Sequence, residues 1–147
     1  MKIAIANDHR GYNLKKQLIS YLKEMDYDVL DLGTDSLEAV DYPIYAKKVA
    51  DNIIEKNADM GILICGTGIG MSIAANKIKG IRCAKVSTEE EAYLTRLHND
   101  ANVLALSYKL VEEEAFNIVK TFLNTEKSNE KRHINRRKLI EKLENDN

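Results

Sequence analysis

The sequence predicts an α/β protein: a three-layer, doubly wound sheet of five parallel strands with helices on both faces. Three observations lead there. Short β-rich apolar runs at 2–7, 27–32, 58–64, 81–86 and 102–106 alternate with stretches whose apolar residues recur at helical spacing, the pattern of successive β-α units. The third run, Ile62-Leu63-Ile64-Cys65, enters a loop with three alternate glycines (Gly66, Gly68, Gly70) and then a helical pattern through Ile73, Ala74 and Ala75. No repeat, linker or low-complexity stretch interrupts the chain, so residues 1–147 read as one domain, with 132–147 as a C-terminal helix.

Each element has a local reason. Leu14, Leu18, Leu22 and Met25 recur at helical spacing and give a first amphipathic helix. Gly33 closes the second strand, and Thr34 to Tyr42 form a polar loop. Pro43 suits the first turn of a second helix, whose apolar face is Ala46, Val49, Ala50, Ile53 and Ile54. The helix after the glycine loop is short, and Gly80 is placed to cap its end. Thr88 and Glu91 have capping-box spacing ahead of Ala92, Leu94 and Leu97. A fifth helix covers Leu110 to Leu123, and the last helix has few apolar residues, Leu139, Ile140 and Leu143. This succession predicts a Rossmann-like sheet in the flavodoxin-like strand order.

Composition excludes several function classes. Apolar residues make up 44% and charged residues 31% of the 147, as in soluble globular proteins, and the net charge of −1 gives no bulk attraction to nucleic acid or an anionic membrane. No apolar run reaches membrane-spanning length, and Met1 to Ile5 passes straight into a strand without a signal-peptide plan, so a cytoplasmic location is expected. Cys65 and Cys83 match no metal-ligand spacing, and His9, His98 and His133 are dispersed; no metal and no cofactor are expected.

The glycine loop is where chemistry is expected. A strand-to-helix turn in a parallel sheet presents backbone N–H groups and a helix N-terminus, which favour an anion. The spacing matches neither G-x-G-x-x-G nor a P-loop. Cys65 at the loop entrance has the setting of a base or nucleophile; a buried space-filling cysteine is the bland alternative. Asp8 and His9 fall at the carboxyl end of the first strand, where ligands bind, although Asp8 also suits a helix N-cap and His9 an exposed loop. Tyr42 faces the same edge, as a lid on the core or a substrate contact. Arg132 and Arg136, four apart on one helix face, form a phosphate clamp, a solvated basic face or a weak nucleic-acid patch. His98-Asn99-Asp100 precedes the fifth strand and so lies at the opposite end of the sheet from Cys65. It is either a structural turn or part of a partner subunit's site, and the sparsely apolar C-terminal helix suits packing on that partner. A homodimer with shared sites, or a tetramer of paired dimers, is the expectation.

With these residues in view, the chain resembles the type B ribose-5-phosphate isomerases, grouped with the lactose-pathway galactose-6-phosphate isomerase subunits. The resemblance rests on Asn7-Asp8-His9-Arg10-Gly11, Gly33-Thr34 with Asp41-Tyr42-Pro43, Ile64 through Lys77, His98 through Leu104, and Arg132-His133 with Arg136. It implies metal-independent interconversion of an aldose phosphate and a ketose phosphate through an enediolate. By the same resemblance Cys65 is the base between C1 and C2, Thr67 moves hydroxyl protons, and His98 opens the sugar ring. The N–H groups from Gly66 through Gly68 and Ile69 to Gly70 hold the enediolate oxygen. Asp8, Tyr42 and Asn99 match positions on sugar hydroxyls; His9, Arg132 and Arg136 match positions around the phosphate. Lys109 stands where the family usually has a phosphate-binding arginine, keeping the charge without the planar fork. Glu130-Lys131 and Ser87 through Glu91 also depart from the family pattern. His98-Asn99-Asp100 and Met71 through Ala75 look like the ribose branch. The leading reading is therefore ribose 5-phosphate; the alternatives are a six-carbon sugar phosphate, such as allose 6-phosphate or galactose 6-phosphate, or a non-catalytic phosphosugar-binding module.

Overall fold

The computed structural model describes residues 1–146; Asn147, the end of the predicted 132–147 helix, lies outside the described residues. Strands β1 (Lys2–Asn7), β2 (Asp28–Asp31), β3 (Met60–Cys65), β4 (Cys83–Lys85) and β5 (Val103–Ser107) form one sheet. All pairings are parallel, and Asn7 registers with Ile64 and Cys65 with Ser107. The helices are α1 (Tyr12–Glu24), α2 (Tyr42–Ile54), α3 (Ile69–Asn76), α4 (Glu89–Asn99), α5 (Glu112–Asn124) and α6 (Lys131–Asn145). A short 3-10 turn, His9–Gly11, links β1 to α1. Among the described residues no helix is long and apolar enough to cross a membrane.

The strand order is β2-β1-β3-β5-β4, which corrects the flavodoxin-like expectation: β5 lies inside and β4 at the edge. The reason is in the strands themselves. Val103 to Leu106 are all buried, as befits an interior strand covered on both faces. β4 is three residues long and only half-buried, which suits an edge. Asn76 caps its outer backbone, accepting from Cys83 N–H (2.7 Å) and donating to Cys83 C=O (2.8 Å) like one residue of a missing strand.

Strand alternation divides the core. Ile3, Ile5, Ile62, Ile64, Leu104 and Leu106 meet α1, α4 and α5 through Leu14, Leu18, Ala92, Ile118 and Phe122. On the other face the smaller Ala4, Ala6, Cys65 and Ala105 let α2 and α3 approach through Ala46, Val49, Ala50, Met71 and Ala75. Phe122 is fully buried, and truncating it to alanine is expected to cost about 3–5 kcal/mol. The Thr88 capping box is present in both directions, each bond at 3.1 Å. Helix α5 starts at Glu112 rather than Leu110, and α6 runs Lys131–Asn145 where 132–147 was expected, Asp146 being its C-cap. Two further helix boundaries differ from expectation. Helix α3 stops at Asn76, leaving Gly80 (φ +87°) to turn the chain into β4 rather than cap the helix. Helix α2 begins at Tyr42 itself, so that side chain projects from a helix start and not from a loop.

Connections leave β1 toward the α1 face and β3 toward the α3 face. The carboxyl ends of these adjacent strands therefore form a topological switch point, where an open sheet parts to admit a ligand.

Candidate active site

At that switch point Asp8 N–H bonds Ile64 C=O (2.9 Å), tying the two strand ends together. Asp8 is buried, and its Oδ1 accepts from Arg10 N–H (2.9 Å) and Gly11 N–H (3.1 Å). The cap reading of Asp8 therefore holds for one oxygen. Next to it, His9 is half-buried, and its Nδ1 accepts from Val40 N–H at 3.4 Å.

Cys65 ends β3, 4% exposed, and its Sγ accepts the Gly68 N–H at 3.2 Å. A peptide N–H aimed at sulfur supports negative charge there. Gly68 reaches that position with φ +80°, a left-handed conformation, and a β-carbon there would sit 3.0 Å from the Leu106 backbone. Ile69 N–H is likewise engaged, on Thr67 Oγ1 (3.1 Å). Of the expected anion donors, then, Gly68 serves the sulfur and Ile69 serves Thr67. The N–H groups of Gly70 and Met71, in the first turn of α3, have no carbonyl partner within the helix, because the residues four back lie before its start, and are the donors left for an anion. Thr67 is exposed at the loop tip, and Gly66 is half-buried with its C=O on Ser107 Oγ (2.8 Å). That serine also accepts Lys109 N–H (3.2 Å), placing exposed Lys109 beside the loop. Tyr42 lies over Gly70: a β-carbon there would meet the ring at 2.7 Å and the hydroxyl at 2.8 Å. Asp8, His9, Tyr42, Cys65, Thr67, the glycines and Lys109 are thus brought to one edge.

The remaining predicted residues are not. His98 and Asn99 are the last residues of α4, at the opposite end of the sheet. There α6 packs on α4, and the rings of His98 and His133 stack with centroids 4.3 Å apart. Burial, then His98 and Arg132, hold the His133 pKa below its ordinary value of 6.5. Arg132 and Arg136 are exposed on α6, and Arg132 Nε donates to Glu130 (3.0 Å). Asn99 accepts from Thr95 Oγ1 (3.1 Å) and borders a cavity of about 400 Å³ with Arg82, Ile140 and Leu143.

Several supporting contacts escaped the sequence reading, which offered His98-Asn99-Asp100 as a structural turn without its ion pairs. Asp100, in the left-handed region (φ +49°), binds Arg96 (2.8 Å) and Arg82 (3.3 Å). Arg137 donates to Ser128 C=O (2.7 Å) and His98 C=O (3.4 Å). Only the Arg96–Asp100 pair left a local trace, its i,i+4 spacing. The second cysteine is chemically distinct: burial, and secondarily Cys65, push the Cys83 thiol up to about 12, so it stays protonated near neutrality.

A thiol at the mouth of a glycine loop, at the switch point of a doubly wound parallel sheet, places this chain among the α/β proteins whose ligand crevice lies at the carboxyl ends of the strands. Comparison with known proteins makes this specific. The sequence profile described as Ribose/Galactose Isomerase matches residues 3–140. Ribose-5-phosphate isomerase B of Escherichia coli K12 is 49% identical over 110 residues, 75% of this chain and 74% of its own. The solved ribose-5-phosphate isomerase B of Clostridium thermocellum superposes with TM-score 0.95 at 46% identity, covering 99% of both chains. That of Mycoplasma genitalium, with bound ribulose 5-phosphate, gives TM-score 0.93 at 42% identity over 99% of this chain and 97% of its own. A Rickettsia bellii relative, 53% identical over 127 residues (84% and 86%), bears only the broader name of sugar phosphate isomerase. The chain belongs to the ribose/galactose isomerase family and is a sugar-phosphate isomerase of the type B ribose-5-phosphate group.

Proposed function

We propose that this enzyme interconverts ribose 5-phosphate and ribulose 5-phosphate, with Cys65 as the base, in a homodimer whose sites are completed across the interface. The observation that carries the reading is the Cys65 Sγ, held by Gly68 N–H at the mouth of the loop and next to the α3 N-terminus. The choice of pentose rests on the relatives, one of which holds ribulose 5-phosphate.

In the forward direction the Cys65 thiolate takes the proton from C2 of the open-chain aldose. The C–H electron pair becomes the C1–C2 double bond, and the carbonyl pair moves onto O1. Gly70 and Met71 N–H groups face that oxygen, each donor contributing on the order of 3 kcal/mol. Thr67 relays the hydroxyl proton from O2 to O1, and the protonated Cys65 returns its proton to C1, giving the ketose. Asp8 and Tyr42 hold sugar hydroxyls, while His9 and Lys109 face the phosphate.

The second copy supplies His98 to open the ring, Asn99 to hold a hydroxyl, and Arg132 with Arg136 for the phosphate. Two features support this sharing. These groups lie at the wrong end of their own sheet, and α3 and α6 expose Ile69, Ile73, Leu139, Ile140 and Leu143, an apolar surface suited to a partner. No step calls on a metal, and activity is expected to survive exhaustive chelation.

The deciding assay measures turnover of ribose 5-phosphate beside allose 6-phosphate and galactose 6-phosphate, with Cys65→Ala as control. Turnover of the pentose that vanishes in the variant is expected. Turnover of a six-carbon substrate alone keeps the mechanism and changes the substrate, and silence on all three removes the catalytic reading.

A further inference from the structure

Lys15 is 1% exposed on α1, yet the reaction does not use it. Its Nζ donates to Thr34 C=O at 2.8 Å and pairs with Asp35 (3.0 Å) and Asp31 (3.2 Å). All three acceptors belong to one turn, 31–35, at the carboxyl end of β2. Asn7 Nδ2 adds a second bond to Thr34 C=O (3.2 Å), and Asp31 Oδ1 also takes Gly33 N–H (3.1 Å). A buried lysine is not needed for stability alone, since an apolar side chain of similar volume often serves as well. What the ammonium adds is direction: oxygens on three residues of one turn are drawn to one nitrogen.

That turn is the root of the segment leading to α2, and the far end of the segment reaches the site twice. Val40 N–H donates to His9 Nδ1, which leaves Nε2 as the proton-bearing donor of the neutral ring. Two residues later Tyr42 lies against Gly70. We infer that Lys15 is a positioning residue for phosphosugar binding: by anchoring turn 31–35 it places Val40 against His9 and Tyr42 against the glycine loop. The binding role it serves rests on the function proposed above.

The test compares Lys15→Met with Leu18→Ala, a core variant on the same helix that lowers stability without touching the turn. Lys15→Met is expected to raise KM for ribose 5-phosphate about tenfold while kcat changes less than about threefold, whereas Leu18→Ala leaves KM unchanged. Two readouts need no turnover. In Lys15→Met the Val40 amide should exchange faster, and the His9 Nδ1 nitrogen shift should lose its acceptor signature. An unchanged KM together with unchanged Val40 exchange overturns the inference, as does an equal KM rise in both variants. If Lys15→Met does not fold, Asp31→Asn combined with Asp35→Asn gives the same comparison through exposed carboxylates. A parent enzyme inactive on the pentose overturns the proposed substrate instead, and the Val40 and His9 readouts still decide the role of Lys15.

Discussion

The carboxyl edge of the sheet and its amino end are built by different means. At the carboxyl edge the chemistry is held by backbone: Gly68 at φ +80°, its N–H on the Cys65 sulfur, and the first turn of α3. At the amino end the work is done by long charged side chains, with Arg82, Arg96 and Arg137 fastening Asp100 and the His98 carbonyl. Backbone placement is stiff and suits the point where the proposed proton transfer takes place. Side-chain scaffolding reaches further and suits groups presented outward, as the proposed sharing of sites requires.

The sharpest way to test this contrast is to remove one group from each end. Cys65→Ala should lower kcat by about 100- to 10,000-fold while phosphosugar binding persists, whereas Cys83→Ala, removing a thiol that stays protonated, should leave kcat unchanged. Mixing inactive Cys65→Ala with inactive His98→Ala should then restore about one quarter of wild-type activity. Half the dimers are mixed, and each mixed dimer has one intact site; no recovery would break the sharing. A smaller effect is expected from Gly70→Ala, whose new methyl must push Tyr42 aside: KM should rise about tenfold with stability nearly preserved. Smallest is a pH effect confined to the amino end. Since the folded-state pKa of His133 lies below 6.5, the unfolded chain takes up a proton that the folded chain refuses. Stability contributed by neutral His133 is present above 6.5 and declines as pH falls from there toward the folded value, so Tm should fall over that window. His133→Phe should flatten the decline; an unchanged slope would show that the stacked histidines are not its source.

The two ends also differed in how legible they were. The carboxyl edge could be read from adjacent letters, because a strand, a thiol and alternate glycines are local features. Even there the sequence did not say which N–H faces sulfur and which faces solvent, since that depends on the φ of Gly68 and its packing against Leu106. The clasp of Lys15 on turn 31–35 spans some twenty residues and left no periodic signal. Asp8 was legible as a cap, and its Oδ1 serves that cap, while its role on a sugar hydroxyl belongs to the proposed function.

The sequence by itself determined the β-α succession, the alternation of buried faces and the position of Cys65 at the mouth of a turn, because propensity, periodicity and turn chemistry act over a few residues. Only the tertiary structure decided that β5 enters the sheet between β3 and β4, that Tyr42 covers Gly70 and that His98 stacks on His133. These are contacts between segments far apart in the chain, settled by which apolar strand most needs covering and which side chains then find one another.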